Sequence, residues 1–261
     1  MKQKYLVTGG SGFIGTNLAR EVLKRGHPLM VFDNLSRLGC AANLDWLRTF
    51  GNFEYFHGDI RVESDIAKAV RDFKPDVVFH LAGQVAMTTS VARPQHDFAI
   101  NGIGTVNLLE ALRLFCPDAR MTLSSSNKVY GRMKGIALEE GKTRYFAPGY
   151  EKGFDEELGL DFETPYCCSK GVADQYALEY ARTFNLNTVV FRHSTVFGGR
   201  QFASFDQGWV TWFAMKALEQ KSGKGEAFTI SGDGKQVRDV LFIDDLIDCY
   251  FMAVDQMDRV R

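Results

Sequence analysis

The chain has no C-x-x-C pair, no H-x-x-x-H pair and no apolar run of the roughly 18–20 residues that cross a bilayer. Each absence closes a class. The five histidines, His27, His57, His80, His96 and His193, are too scattered to suggest zinc, so no metal is expected. The five cysteines, Cys40, Cys116, Cys167, Cys168 and Cys249, cannot all pair. They read as free thiols in a reducing cytoplasm. Cys167 and Cys168 flank a functional pair described below. A nucleophile and a small buried side chain are both open there, and the second is the ordinary role.

Charge of one sign is lacking too. Lys plus Arg number 31 against 32 Asp plus Glu, a net charge of −1, which gives no global field for nucleic acid or an anionic membrane. No signal-peptide core and cleavage site follow Met1-Lys2-Gln3-Lys4. No Walker lysine follows the glycine loop, and Phe13 stands where a Gly-x-Ser-x-Gly elbow needs glycine. The acidic run from Asp239 to Asp248 reads as a solvated helix start rather than a metal site.

What is present is a globular composition, 45% hydrophobic and 24% charged over 261 residues. That length suits one large domain, or one and part of another. Short apolar strands (5–7, 29–32, 53–56, 77–79, 121–123, 189–191) alternate with helical patterns over 13–25, 62–73, 103–115 and 165–184. Strands such as Val77-Val78-Phe79 are apolar throughout, as strands covered on both faces are. The repetition predicts an α/β fold with a Rossmann-type, doubly wound parallel sheet over 1–194. Residues 195–261 follow as a small, apparently incomplete second unit, with a helix over 207–220, strands over 227–231 and 238–243, and a helix from Asp244. Residues 132–163 are charged and aperiodic, either a flap over the active site or a surface insertion.

Two local patterns carry chemistry. Gly9-Gly10-Ser11-Gly12-Phe13-Ile14-Gly15 follows a strand and opens a helix. Glycines there allow a tight turn and close approach to a pyrophosphate, which helix N-terminal amides then bind. Asp33 ends the second strand, where a carboxylate accepts from ribose hydroxyls and repels a 2′-phosphate. That favours NAD over NADP, although Arg37 nearby argues the other way.

The second pattern is Tyr166-x-x-x-Lys170. Thr164 can cap and Pro165 suits a first turn, so the two side chains project from one helical face. A phenol near pKa 10 becomes a usable base if an adjacent ammonium and an oxidised nicotinamide lower it by about 2–3 units. Tyr130 and Lys134 have the same spacing, but Gly131 and Gly135 disfavour a helix there. Ser124-Ser125-Ser126 ends a strand where such sheets place ligands. A hydroxyl there either orients a substrate oxygen or closes an ordinary turn.

Taken together, the glycine loop, Gly58-Asp59-Ile60, His80-Leu81-Ala82, Asn101 with Gly104-Thr105, Ser124-Ser125-Ser126 and Tyr166-x-x-x-Lys170 resemble the extended short-chain dehydrogenase/reductase family, the NAD-dependent epimerases and dehydratases of nucleotide sugars. The stretches Leu81 to Ser90, Asn127 to Gly131, Val190 to Ser194, Gly198 to Phe202, Asp206 to Trp209 and Ile230 to Asp239 resemble its branch of C2-epimerases, which turn CDP-paratose into CDP-tyvelose.

The resemblance implies that Gly9, Gly12, Phe13, Ile14 and Gly15 meet the NAD pyrophosphate. It puts Asp33, Asn34, Ser36 and Arg37 at the adenosine ribose and Asp59 and Ile60 at the adenine. Leu81, Ala82, Ser124 and His193 line the nicotinamide side, where Tyr166 and Lys170 also meet the cofactor. Ser126, Tyr166 and Lys170 are the implied catalytic residues. Gln84, Asn127, Gln201 and Arg238 are implied for the nucleotide sugar, with Arg238 on its diphosphate. A homo-oligomer is implied as well.

Dehydratases carry an acid after the catalytic Ser/Thr, whereas Asn127 and Lys128 stand here, so elimination is not expected. Thr195 departs from the Asn of many relatives. A UDP-sugar 4-epimerase remains open, as does an NAD-binding protein without turnover, because relatives run several tens of residues further.

Overall fold

The computed structural model describes residues 2–204 and 206–257. Six strands form one parallel sheet: β1 (Tyr5–Thr8), β2 (Leu29–Asp33), β3 (Glu54–His57), β4 (Val77–His80), β5 (Arg120–Ser124) and β6 (Asn187–Phe191). Their order is β3-β2-β1-β4-β5-β6, with every pair parallel. This is the doubly wound order of dinucleotide-binding sheets, whose direction reverses beside β1.

The pleat explains the two cores. Successive side chains of β1 point to opposite faces. Leu6 joins a cluster with Met30, Phe32, Val78 and Met121, covered by Leu108, Leu112, Ala173 and Ala177. Tyr5 and Val7 join the other cluster with Val31, Val77 and Phe79, covered by Leu18, Val22, Leu44 and Leu47. The covering helices include α1 (Phe13–Lys24), α2 (Cys40–Arg48), α3 (Glu63–Phe73), α4 (Met87–Ala92), α5 (Pro94–Phe98), α6 (Gly104–Phe115) and α7 (Pro165–Phe184). The sequence reading assigns no element to 34–52. There α2 forms because Cys40, Leu44 and Leu47 repeat at helical spacing and are buried.

Beyond residue 194 the expected helix, the strand near residue 240 and the closing helix form, and one expected strand does not. A two-stranded parallel sheet pairs β7 (Thr195–Phe197) with β8 (Val240–Phe242), and α8 (Trp209–Lys221) lies between them in sequence. No strand forms at 227–231. Phe228 instead packs on the rings of Trp212 and Phe213, at centroid distances of 5.2 and 5.6 Å. The last helix, α9 (Ile243–Asp255), buries Ile243, Leu246, Ile247, Tyr250, Phe251 and Val254 in the same core as β1 and α1. Packing therefore assigns α9 to the layer that covers the main sheet, although a division at 194 sets it apart. Residues 258–261 of the expected second unit lie outside the described residues.

Residues 132–163 contain a small hairpin, Glu139–Glu140 against Tyr145–Phe146. It docks on residues 233–235: Tyr145 N donates to Lys235 O at 3.0 Å, and Lys235 Nζ pairs with Glu140 at 2.5 Å. The segment adds no residue to the cleft described next. It is a surface insertion in this structure and not a flap.

Candidate active site

The carboxyl ends of β1, β2, β4, β5 and β6 open into a cleft of about 500 Å³. The glycine loop forms one wall. Gly9 has φ 68° and lies so close to the end of β4 that a Cβ would stand 2.7 Å from Ala82 N. A Cβ on Gly15 would overlap Gly9 O. At Gly12 the only neighbour would be Gly9 O at 3.2 Å, with open cleft beyond. That position is a cradle that a side chain would fill. No side chain caps α1, so its first-turn N–H groups, at the positive end of the helix dipole, remain for an anion.

Asp33 sits across the loop, 8% exposed. Its Oδ2 accepts from Ser11 N at 2.9 Å and its Oδ1 from Leu35 N at 2.8 Å. Burial pushes its pKa up, and these two N–H donors oppose the rise. Each oxygen keeps a lone pair for a ribose hydroxyl. Asn34 donates to Asp59 Oδ2 at 3.1 Å, and the Arg61 guanidinium holds Asp59 at about 2. Ser36, Arg37 and Ile60 complete this end of the cleft.

The other end brings Ser124, Ser126, Asn127, Tyr166, Lys170 and His193 to one place. Thr164 caps α7 by accepting from Cys167 N at 3.2 Å, which fixes where Tyr166 and Lys170 project. Both are buried, at 7% and 5% exposure. Lys170 Nζ donates to Ser124 O at 2.8 Å. Ser124 Oγ lies 3.2 Å from His193 Nε2. Ser126 accepts from Lys128 N at 3.2 Å and hydrogen-bonds Tyr166. Asn127 Nδ2 donates to Ser194 Oγ at 3.2 Å.

These features fit a dinucleotide, and the comparisons agree. The model of the NAD dependent epimerase/dehydratase family matches residues 5–261. The chain belongs to that family. It is 55% identical over 258 residues to CDP-paratose 2-epimerase of Salmonella typhi, covering 99% of this chain and 76% of the relative. It is 33% identical over 248 residues to UDP-glucose 4-epimerase of Mycolicibacterium smegmatis, covering 95% and 72%. Among solved structures, the UDP-glucose 4-epimerase of Thermus thermophilus in complex with NAD superposes with a TM-score of 0.76. It is 28% identical and covers 96% of this chain and 74% of that one. NAD is accordingly the cofactor of this family member, and Gly12, Asp33 and the uncapped start of α1 would hold it.

In the cofactor-free cleft burial outweighs the groups that lower the Tyr166 phenol, Ser126 and Arg37. Burial pushes it up to about 12, against the hydrogen bond from Ser126. Lys170 donates to Ser124 O, and burial pulls it down to about 8, opposed by the charges of Asp97 and Asp174. His193 is pulled to about 4, first by burial and then by the Lys170 charge, so its imidazole is neutral.

Two expected substrate contacts are placed elsewhere. The Gln84 amide is consumed inside its own loop. Its Nε2 donates to Asp97 Oδ1 at 2.6 Å and Ala86 O at 2.9 Å, and its Oε1 accepts from Ala86 N at 2.5 Å. It borders a smaller adjoining pocket. Arg238 is exposed, donates to Val237 O at 2.9 Å and does not line the cleft. It stands two residues before β8, outside the paired register. Gln201 does line the cleft, with Nε2 donating to Val196 O at 3.2 Å and Oε1 accepting from Thr211.

The second Tyr-Lys spacing is structural. Tyr130 accepts from Arg192 Nη1 at 2.9 Å, and Lys134 pairs with Asp161 at 3.1 Å. Cys167 is buried and Cys168 exposed.

The stretch Asp206 to Trp209 carries the resemblance but no site role was expected of it, and both residues line the cleft; sequence reasoning also missed Asn43, which donates to Ser11 O at 3.1 Å and Arg200 O at 3.3 Å. The helical spacing of Cys40, Leu44 and Leu47 would have located the last.

Proposed function

We propose that this chain inverts C2 of CDP-paratose to give CDP-tyvelose, as an NAD-dependent nucleotide-sugar epimerase. One observation carries the reading. Ser126, Tyr166 and Lys170 converge at one end of the same cleft whose other end has the Gly12 cradle and Asp33. The 55% identity over nearly the whole chain supports the choice of substrate.

A 3,6-dideoxyhexose has no carbonyl beside C2, so the C2–H is not acidic and inversion requires transient oxidation. NAD⁺, when bound, supplies that oxidation by accepting a hydride from C2 and returning it. The phenol oxygen of Tyr166 takes the C2 hydroxyl proton. Ser126 Oγ orients that oxygen and hydrogen-bonds the phenol. Lys170 contributes a positive charge and holds Ser124 O. The site keeps a 2-keto sugar until its other face is presented, and the phenol then gives the proton back.

Incubation with CDP-paratose in deuterium oxide tests the mechanism. The expected product is CDP-tyvelose with no solvent deuterium at C2. Incorporation at C2 would refute direct return. Side-by-side incubation with UDP-glucose tests the substrate. Turnover of the UDP sugar alone would transfer the chain to the 4-epimerases.

The homo-oligomer implied by the family is part of the same proposal. Leu114, Tyr176 and Phe184 are 59%, 47% and 45% exposed on α6 and α7, which supports it. Sedimentation as a monomer at micromolar concentration would oppose it.

A further inference from the structure

Asp97 is a carboxylate with no solvent exposure and, among the described residues, no salt-bridge partner. Such a group is costly to bury unless its charge has a use or its oxygens are satisfied. Here both oxygens accept. Oδ1 takes Gln84 Nε2 at 2.6 Å and Asn101 Nδ2 at 3.3 Å, and Oδ2 takes Ser169 Oγ at 2.5 Å. Accepting at both oxygens is the pattern of an ionised carboxylate. Ser169 lies between Tyr166 and Lys170 on α7 and also accepts from Asn101 Nδ2 at 3.0 Å. Asn101 and Lys170 both border Gly83, in the loop after β4. A Cβ on Gly83 would stand 3.1 Å from Asn101 Oδ1 and 3.2 Å from Lys170 Nζ. Asp97 is therefore bonded to Ser169, which precedes Lys170 and holds the Tyr166 carbonyl at 3.1 Å, and to Asn101, which borders Gly83 together with Lys170 Nζ.

We infer that Asp97 is the positioning residue whose fixed negative charge keeps Lys170 protonated and whose bond to Ser169 sets the first turn of α7. The inference rests on the proposed roles of Tyr166 and Lys170. The other charges around Lys170 are already engaged or ill-suited. Asp174, on α7 itself, is paired bidentately with Arg192 at 2.8 and 2.9 Å and also accepts from Ser125. His80 on β4 and His193 beyond β6 are buried and neutral. Arg37, from the loop after β2, acts on Tyr166 and has the same sign as Lys170. Asp97 on α5 is the negative group left to offset the burial of Lys170. It acts on Lys170 by raising its pKa, ahead of Asp174.

The test is the titration of Lys170, followed in the folded chain by NMR of isotope-labelled lysine and assigned with Lys170→Met. Without substrate, the wild-type amine is expected to titrate below its ordinary value, at about 8. In Asp97→Asn or Asp97→Ser it is expected to fall by about one pH unit or more. In Asp97→Glu, which retains the charge, it stays within about half a unit of wild type. Epimerisation by the neutral variants should fall several-fold more on the alkaline side of pH 7 than on the acidic side.

An unmoved Lys170 titration in either neutral variant would overturn the inference, as would an equal loss of rate at all pH. If neither neutral variant folds, a Lys170 titration displaced by more than one unit in Asp97→Glu overturns it too. If wild type turns over no sugar nucleotide while Lys170 still responds to Asp97, the functional proposal fails and the charge coupling stands.

Discussion

Replacing Tyr166 by phenylalanine removes one oxygen from a side chain that is 7% exposed, so volume and packing are nearly unchanged. The structure sets the size of the effect. With the phenol pushed up to about 12, holding it as phenolate at neutral pH would cost roughly 7 kcal/mol. The Lys170 ammonium is held by Ser124 O and is not among the groups that offset the burial of the phenol in the cofactor-free cleft. Ser126 and Arg37 pull the phenol down without overcoming burial, so the positive charge that NAD⁺ brings when bound is needed for proton removal. General-base catalysis contributes about 10²–10⁴-fold, and Tyr166→Phe should lower kcat by that factor, about 3–5 kcal/mol in barrier. NAD affinity should change by less than about threefold, since the loop and Asp33 are untouched. The assay is conversion of CDP-paratose by the NAD-loaded chain, followed by NMR, with cofactor binding titrated separately. A variant within tenfold of wild-type kcat would refute the assignment of the phenol as base.

The glycine loop separates folding from binding. Gly12→Ala should fold normally yet bind NAD at least tenfold more weakly, because its Cβ fills the cradle. Gly15→Ala should melt lower by circular dichroism, because its Cβ overlaps Gly9 O. His193 stays neutral down to about pH 4, since a depressed pKa means protonation only below that value. The kcat/KM profile should therefore show no imidazole inflection between about pH 5 and 7, and one that disappears in His193→Gln would contradict this. Arg192→Met strands the fully buried carboxylate of Asp174 and should cost about 3–5 kcal/mol in urea unfolding. A loss below about 1 kcal/mol would mean that Asp174 finds another partner.

Some of this protein was decided within short stretches of chain. Strand, glycine turn and helix at residues 5–24 are a local event, because only glycine meets the positive φ at position 9 and the contact at position 15. The i, i+4 spacing after Thr164 and Pro165 likewise orients Tyr166 and Lys170 without help from elsewhere. Continuous apolar strands made a two-sided parallel sheet readable.

Other properties exist only after folding. Desolvation depends on everything packed around a group, so the rise of the Tyr166 phenol in the cofactor-free cleft is not visible in its spacing from Lys170. Gln84 is turned inward by Asp97, thirteen residues away, and Arg238 is exposed with its guanidinium on the neighbouring Val237 O. Helix α9 returns from the far end of the chain to cover β1, a choice made by the area it buries rather than by any signal near residue 194. Sequence spacing specifies which side chains share a face. Tertiary structure alone decides which charges face each other once water has been removed.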